Sequence, residues 1–202
     1  MASEGEPSAI GLRERKKAKT RAAIQQHALR LFRDHGYSAT TVTQIAEAAE
    51  ISESTFFRYF PTKEHVVLED EFDDALMAAF DAQPPELTPI QAMRGALRAV
   101  LGALPAEDRA EIRERADLIF SVPELRAAMA GRIVETLQRT SEQLAVRMGR
   151  PADDIGVRTL AGALIGAMMS VTVGAAGDPT ADYVELIDAA MGRLEAGFPV
   201  DH

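Results

Sequence analysis

The chain has 202 residues, of which 47% are hydrophobic and 26% charged, a composition that is typical of a globular protein and excludes extended disorder. It has no cysteine, which excludes disulfide frameworks and cysteine-ligated metal sites and favours a reducing, cytoplasmic location. A net charge of −9, taken over the whole chain, argues against a nucleic-acid partner.

The charge is unevenly distributed along the chain. Residues 12–63 hold ten Lys or Arg and five Asp or Glu, a net charge of +5, whereas the remainder holds twelve basic and 26 acidic residues, a net charge of −14. A basic N-terminal part joined to an acidic remainder favours a nucleic-acid-binding face on the first part only.

The first elements follow from apolar periodicity. Residues 1–11 are polar and predict a disordered tail. A helix is predicted from Arg13 to His35, because its apolar residues repeat at helical spacing, and Gly36 predicts its left-handed end. The apolar residues that define this stripe are Ile24, Ala28, Leu31 and Phe32.

Two short helices are predicted next, and together they have the form of a helix-turn-helix motif over residues 41–60. Thr41 and Gln44 have the spacing of a capping box, which begins a helix over Thr41–Ala49. Ser52 is a good N-cap for a second helix, which ends at Tyr59 before Pro61. In such a motif the first helix braces the second, which presents polar side chains to base edges. An ordinary helical hairpin is the alternative.

The remaining elements are all predicted to be helical. Thr62 begins a long helix that we expect to reach Gln83 before Pro84 and Pro85, and to join the two halves of the chain rigidly. Further N-caps are predicted at Thr88, Ser121 and Asp178. Helical patterns cover 89–104, 107–121, 123–148 and 153–175, and no useful strand pattern occurs, so we predict an all-α fold with about nine helices.

Residues 18–72 contain a dense, ordered set of residues that match a known pattern. The matching residues are Ala28–Phe32, Gly36–Tyr37, Thr40–Ala46, Ala49, Ile51–Ser52, Thr55–Phe60 and Lys63–Glu64. In this set the chain resembles the DNA-binding domain of the tetracycline-repressor (TetR) family. The resemblance implies a three-helix DNA-binding domain over 12–66 and a ligand-binding and dimerisation domain over 67–202.

The resemblance also implies a division of roles, because phosphate contacts set the register of a DNA-binding protein and base contacts set its sequence preference. The positions that match base readers are Ser52, Glu53, Ser54 and Thr55. The positions that match DNA-backbone contacts are Thr41, Thr43, Phe57, Arg58, Tyr59 and Lys63. Glu53 is expected to accept from a cytosine amino group; the alternative is an acid that only favours a helix N-terminus.

Two positions depart from the family pattern. Glu50 lies in the turn where the family commonly has glycine, so strain in the turn or altered phosphate approach is expected. Phe57 replaces a frequent tyrosine and cannot donate a hydrogen bond to phosphate.

A stripe of small residues in the C-terminal part predicts a helix–helix interface between two subunits. Gly162, Gly166, Ser170 and Gly174 recur every four residues, which allows close approach of helices, and Leu186 and Ala190 of the last helix join this predicted dimer interface. Residues 159–177 are also about as long as a short membrane span. Flanking acids and the preceding soluble DNA-binding part favour the dimer interface.

An apolar effector pocket is predicted from residues at helical spacing, several of them adaptable methionines. The alternative for each is a simple core position. Arg113–Arg115 and Pro123–Leu125 are similar to family members that bind acyl-CoA-like ligands. The predicted pocket residues are Met93, Leu97, Leu101, Ile119, Phe120, Met129, Ile133, Leu137, Met168 and Met169.

Taken together, the sequence predicts a cytoplasmic, homodimeric regulator that binds a palindromic double-stranded DNA operator and responds to a small apolar, acyl-CoA-like effector. Repressor action is what the resemblance implies. No metal site, phosphate-binding loop or nucleophile motif is found, so we expect no cofactor and no catalysis. A helical enzyme and a membrane-anchored regulator are the alternatives.

Overall fold

The computed structural model of the chain describes residues 9–69, 72–175, 177–178 and 181–197, and within them it has ten α-helices and no strand. The predicted all-α class is confirmed. The helices are α1 (Ala9–His35), α2 (Val42–Ala48), α3 (Glu53–Tyr59), α4 (Lys63–Leu68), α5 (Phe72–Asp81), α6 (Pro89–Ala103), α7 (Ala106–Ser121), α8 (Pro123–Met148), α9 (Ile155–Ala175) and α10 (Tyr183–Glu195).

The chain divides into two compact units, unit 1 with residues 1–69 and unit 2 with residues 70–202. In unit 1, α1 packs on α2 and α4, and α2 packs on α3. The core that these contacts enclose is rich in aromatic residues. Its largest fully buried side chains are Ile24, Ile45, Phe56, Phe60, Val66 and Val67.

The predicted apolar stripe of α1 is confirmed for three of its four residues. Ile24, Ala28 and Phe32 are buried, whereas Leu31 is half-buried. Gly36 ends the helix with a φ of +85°, and its N–H donates to the Phe32 carbonyl at 2.8 Å. The predicted left-handed helix end is therefore confirmed.

Unit 2 is a bundle of longer helices around an aliphatic core. α6 packs on α5 and α10, α9 packs on α8 and α10, and α7 packs on α8. The core is drawn from α5, α6, α8, α9 and α10, and its most buried members include Phe80, Leu97, Leu144, Val157 and Met191.

The predicted continuous helix from Thr62 to Gln83 is wrong. α4 ends at Leu68, and Glu69 has extended backbone with φ −97° and ψ 127°. α5 begins at Phe72 and ends at Asp81. The helix that we expected as a rigid connection is two helices, which accounts for ten helices rather than nine.

Three further expectations about helix ends are corrected. Residues 9–11, expected in the tail, belong to α1, because a helix that has formed extends at little cost per added residue; residues 1–8 lie outside the described residues. Ser121 is the last residue of α7, and Val122 is the N-cap of α8. Asp182, rather than Asp178, caps α10, accepting from the Val184 and Glu185 N–H groups.

Candidate nucleic-acid interface

α2 begins with the predicted capping box. The Thr41 hydroxyl accepts from the Gln44 N–H at 3.2 Å, and the Gln44 carboxamide oxygen accepts from the Thr41 N–H at 2.8 Å. Both bonds satisfy N–H groups that a helix start would otherwise leave unpaired. Thr41 and Gln44 therefore fix where α2 begins and how it leads into the turn.

The turn between α2 and α3 has a left-handed residue at Glu50. Its φ is +55°, and among the described residues it is the one non-glycine with a positive φ. The Ile51 N–H then donates to the Ala46 carbonyl at 2.9 Å, which closes the end of α2. A side chain with a Cβ is strained in this conformation, so the position favours glycine and Glu50 carries a local energetic cost.

α3 begins after the N-cap Ser52, whose side chain is hydrogen-bonded to the first turn of the helix. The Ser52 Oγ accepts from the Thr55 N–H at 3.1 Å and lies 2.9 Å from the hydroxyl oxygens of both Ser54 and Thr55. Ser52, predicted as a base reader, thus has an internal role at the start of the helix. Its hydroxyl orients the two hydroxyls that follow it.

One face of α3 is buried and the opposite face is open to solvent. Phe56 and Phe60 are completely buried, with ring centroids 5.9 Å apart. Glu53, Ser54 and Arg58 are exposed, as is Phe57 at 49%. Thr55, a predicted base reader, and Tyr59, a predicted DNA-backbone contact, are half-buried. α3 can therefore present polar and aromatic groups outward while its phenylalanines hold it in place.

A hydrogen bond links the two helices of the motif at their exposed N-terminal ends. The Thr43 hydroxyl of α2 donates to Oε1 of Glu53 of α3 at 2.5 Å. Both residues are exposed. The structure thus brings together a predicted backbone contact and a predicted base reader.

Lys63, another predicted DNA-backbone contact, has partners inside unit 1. Its Nζ donates to the backbone carbonyls of Tyr37 and Thr40 at 2.9 and 3.0 Å, and lies 4.0 Å from the Tyr37 ring centroid. The Tyr37 hydroxyl in turn donates to Glu64 at 3.0 Å. Burial alone would raise the pKa of Glu64, but hydrogen bonds from Thr62 and Tyr37 hold that pKa below its ordinary value.

Two residues of α1 support the far end of this region through contacts that the sequence did not predict. Arg21 donates to the Tyr59 carbonyl at 3.2 Å and to the Glu69 carboxylate, and its guanidinium lies 4.4 Å from the Phe60 ring centroid. Gln25 donates to the Val66 carbonyl at 3.3 Å and to the Glu69 carbonyl. Arg21 is the last residue of a basic run that begins at Arg13, and nothing in the sequence distinguishes Arg21 from the exposed cations before it.

The exposed cations and hydrogen-bonding side chains of unit 1 suit contact with a nucleic acid, which has negatively charged phosphates and base edges that form hydrogen bonds. Arg15, Lys16, Lys17 and Lys19 of α1 and Arg58 of α3 are exposed cations of unit 1. Cations and hydroxyls bind phosphate oxygens, and a carboxylate on an exposed helix start accepts from amino groups.

The predicted effector residues lie within unit 2 at different depths. Met93, Leu97 and Leu101 are buried in the core, and Leu137 and Met168 pack against it. The half-buried remainder is Ile119, Phe120, Met129, Ile133 and Met169. A cavity of about 10 Å³ is lined in part by Leu97 and Leu101. A wider cavity of about 640 Å³ lies beside Phe80, Gln143 and Arg147 and is lined by none of the predicted residues.

The small-residue stripe of α9 faces away from the core of unit 2. Gly162, Gly166, Ser170 and Gly174 are all exposed, as are Ile155 at 78% and Val173 at 52% on the same helix. A Cβ built on any of the three glycines meets no other described atom within 4 Å. Leu186 of α10 is 41% exposed, and Ala190 is half-buried.

Within the described residues no group of His, Asp and Glu has the arrangement of a metal site. α9 is long and apolar enough to cross a membrane, with a mean hydropathy of 1.5, and 22% of that window is buried. Helices of this kind also occur in the cores of soluble proteins.

Comparison with known families gives two matches that cover most of the chain. Residues 24–69 match the family model of bacterial regulatory proteins of the tetR family, and residues 87–199 match that of the MftR C-terminal domain. The HTH-type transcriptional regulator TcmR of Streptomyces glaucescens is 41% identical over 155 residues, 73% of this chain and 69% of TcmR. MftR of Mycobacterium tuberculosis, named for the regulation of mycofactocin biosynthesis, is 28% identical over 91% of this chain and 93% of MftR.

Solved structures show the same fold. FadR of Thermus thermophilus, a TetR-family transcriptional repressor solved with lauroyl-CoA, is 24% identical and has a TM-score of 0.56 over 90% of this chain and 96% of FadR. SmeT, the repressor of a Stenotrophomonas maltophilia efflux pump, has a TM-score of 0.59 at 20% identity, over 88% of this chain and 89% of SmeT. The helix-turn-helix of unit 1, the matched C-terminal domain and these relatives agree: the chain belongs to the TetR family of DNA-binding transcriptional regulators.

Proposed function

We propose that this chain is a cytoplasmic repressor that binds a palindromic operator as a homodimer and releases it when a small apolar effector binds. The observation that carries the proposal is the split of α3 into a buried aromatic face and an exposed polar face. Phe56 is fully buried, while Glu53, Ser54 and Arg58 are exposed. A recognition helix needs this division, because it must be held firmly and still reach base edges.

The exposed stripe of α9 supports the homodimer. Glycine inside a helix costs about 1 kcal/mol relative to alanine, and nothing within the described chain explains Gly162, Gly166 or Gly174, since a Cβ there meets open space. Close approach of a second copy would explain all three. A two-fold dimer would also match a near-palindromic operator.

Gly166→Leu tests this interface without crowding the chain itself. We expect sedimentation to show a dimer weakened by at least about tenfold, because a bulky side chain would separate two closely packed helices. Gly131→Leu is the matched control, since Gly131 is an exposed glycine inside α8 whose added Cβ also meets open space. An unchanged dimer in Gly166→Leu would remove the stripe from the interface.

The effector proposal draws on the relatives and on the predicted pocket. FadR was solved with lauroyl-CoA and SmeT with triclosan. Both of these ligands have a large apolar part. Lauroyl-CoA is therefore the probe, and coenzyme A without an acyl chain is the control. Linkage requires that effector and DNA weaken each other by the same factor, typically about 5- to 150-fold. Equal lauroyl-CoA affinity with and without operator DNA would mean that this compound is not the inducer.

Selection of bound duplexes from a randomised library, followed by genome-wide recovery of bound DNA, tests the whole proposal. We expect a near-palindromic sequence and neighbouring genes that suggest the effector. A helical enzyme would yield no selected duplex and would show turnover. A membrane-anchored regulator would enter the soluble fraction only with detergent, whereas the proposed regulator should be found there without it.

A further inference from the structure

The Thr43–Glu53 hydrogen bond joins the bracing helix to the recognition helix at the point where bases would be read. Thr43 lies in the first turn of α2 and Glu53 is the first residue of α3. Their side chains are 2.5 Å apart, and both are exposed. The Glu53 carboxylate is therefore held by a neighbouring helix rather than left free to rotate.

The single proton of the Thr43 hydroxyl limits what this residue can do. A threonine hydroxyl donates one hydrogen bond, and phosphate oxygens only accept. Thr43 cannot donate to Glu53 and to a DNA phosphate at the same time. If it turned to a phosphate, Glu53 would lose its partner and keep its negative charge close to the DNA backbone. The bond in the structure thus competes with the phosphate contact that the family resemblance implies for Thr43.

The other oxygen of Glu53 is available to a ligand. Within the described residues Glu53 makes one hydrogen bond, through Oε1, and the N-terminal amide of Thr55 is capped by Ser52 instead. A carboxylate oxygen accepts from the N4 amino group of cytosine and is repelled by the acceptors on the major-groove edge of guanine. A fixed carboxylate would make that discrimination sharper than a mobile one.

We infer that Thr43 is a positioning residue that sets base preference through Glu53, and that the base read at this point is cytosine. The inference rests on the proposed function and deepens it. Thr43 contributes to sequence preference without contacting a base, and it contributes little to the salt-dependent binding of the DNA backbone.

The test uses the full chain and a duplex selected with the wild-type protein, together with duplexes that differ from it at single base pairs. Affinities are measured for wild type, Glu53→Ala, Thr43→Val and Thr43→Ser at several salt concentrations. Glu53→Ala should reduce discrimination at one C·G pair by about tenfold or more. Thr43→Val should reduce discrimination at that same pair, whereas Thr43→Ser, which keeps a hydroxyl, should discriminate as the wild type does. Neither Thr43 variant should change the salt slope of DNA binding.

The double variant Thr43→Val, Glu53→Ala adds a test that a merely structural role would not pass. If Thr43 acts through Glu53, the double variant should discriminate as Glu53→Ala alone does, because coupled residues are not additive. Thr43→Ala removes the same hydroxyl with a smaller side chain and must agree with Thr43→Val.

Two results would overturn this inference and leave the proposed function intact. One is a uniform loss across all duplexes in Thr43→Val with a salt slope smaller by about 0.9, which would identify a phosphate contact. The other is an altered preference in Glu53→Ala that Thr43→Val does not share. A library that yields no bound duplex would overturn the proposed function as well.

Discussion

Units 1 and 2 use their long polar side chains differently. In unit 1, Arg21 and Gln25 donate to backbone carbonyls at the ends of the short helices α3 and α4, and Lys63 donates to two carbonyls of the segment between α1 and α2. In unit 2, Arg94 and Arg98 of α6 both bind the Asp188 carboxylate of α10, at 2.8 and 2.5 Å. Short helices leave more unpaired carbonyls per residue, and these must be satisfied from elsewhere.

Three arginines of unit 2 also donate to backbone carbonyls, and they support this explanation. Arg113 donates to the Ala181 carbonyl and Arg126 to the Phe120 carbonyl. Arg147 donates to the Gln83 and Leu87 carbonyls at 3.4 and 3.3 Å, in the irregular segment between α5 and α6. Side-chain donation to carbonyls therefore follows the helix ends rather than the unit. Where long helices pair along their length, as α6 and α10 do, charged residues bind one another instead.

The largest expected effect tests how far unit 1 depends on its aromatic core. Phe56→Ala should lower the free energy of unfolding of this unit by about 3–5 kcal/mol, because it removes a completely buried ring. Urea unfolding of the full chain, with hydrogen exchange of α2 and α3 amides, would measure it. Phe57→Ala is the control, since that ring is 49% exposed and its loss should cost less than about 1 kcal/mol. Similar losses in both variants would contradict the two-faced description of α3.

Asp188→Asn tests the paired charges of unit 2. We expect a loss of about 1–2 kcal/mol, because both arginines lose a charged partner. Hydrogen bonds from Arg94 and then Arg98 hold the pKa of Asp188 well below its usual range. The stability that this group contributes is therefore present above its unfolded pKa of about 3.9 and is lost as pH falls below that value.

The measurement is urea unfolding at several pH values, in which the variant should lose part of the wild-type acid sensitivity. Asp74→Asn is the control, since the Asp74 and Arg139 side chains are 76% and 55% exposed and such pairs contribute little. Equal pH profiles for wild type and Asp188→Asn would show that the pair does not stabilise unit 2.

Lys63→Met sharpens the comparison for unit 1. It keeps the apolar stem and removes the donor to the Tyr37 and Thr40 carbonyls, so we expect unit 1 to lose about 1–2 kcal/mol of stability. Thermal unfolding is the measurement, with the exposed Lys19→Met as control. If stability were unchanged and the salt slope of DNA binding fell by about 0.9, Lys63 would instead be a phosphate contact.

Glu50→Gly is expected to have the smallest effect on the free energy of unfolding, and it should increase that free energy rather than lower it. Because Glu50 has a φ of +55°, glycine should stabilise unit 1 by about 1 kcal/mol. Glu50→Gln removes the charge but keeps the strained backbone, so it should not reproduce the gain. A gain of the same size in both variants would assign the cost to charge rather than to conformation.

The sequence predicted those parts of the fold that local chemistry decides. Thr41 with Gln44, and Thr88 with Gln91, form capping boxes in the structure because each partner lies three residues away. The break at Glu69 could not be predicted in this way. No proline or glycine marks it, and the helix end is held by Arg21 and Gln25, more than 40 residues earlier in the chain.

The candidate site divides in the same way, into features that local spacing decides and features that depend on packing between distant parts of the chain. That α3 exposes Glu53 and Ser54 follows from spacing alone, whereas the partners of Glu53 and Lys63 depend on how the helices pack. The family resemblance implied that Thr43 and Lys63 contact DNA phosphates. The structure gives both of them partners within unit 1, which no pattern along the chain could have indicated.

The end of unit 1 at Glu69 has a consequence for how regulators of this kind could be recombined. Its carboxylate and its carbonyl are both bound by α1, so the described hydrogen bonds at this end stay on the N-terminal side of the boundary between units 1 and 2. A chimaera joined after Glu69 would carry these bonds intact into a new host. Joined after Tyr59 instead, it would separate Arg21 and Gln25 from their partners at the end of α4. A junction after Glu69 therefore keeps the helix-turn-helix and the α1 contacts described here on the same side of the join.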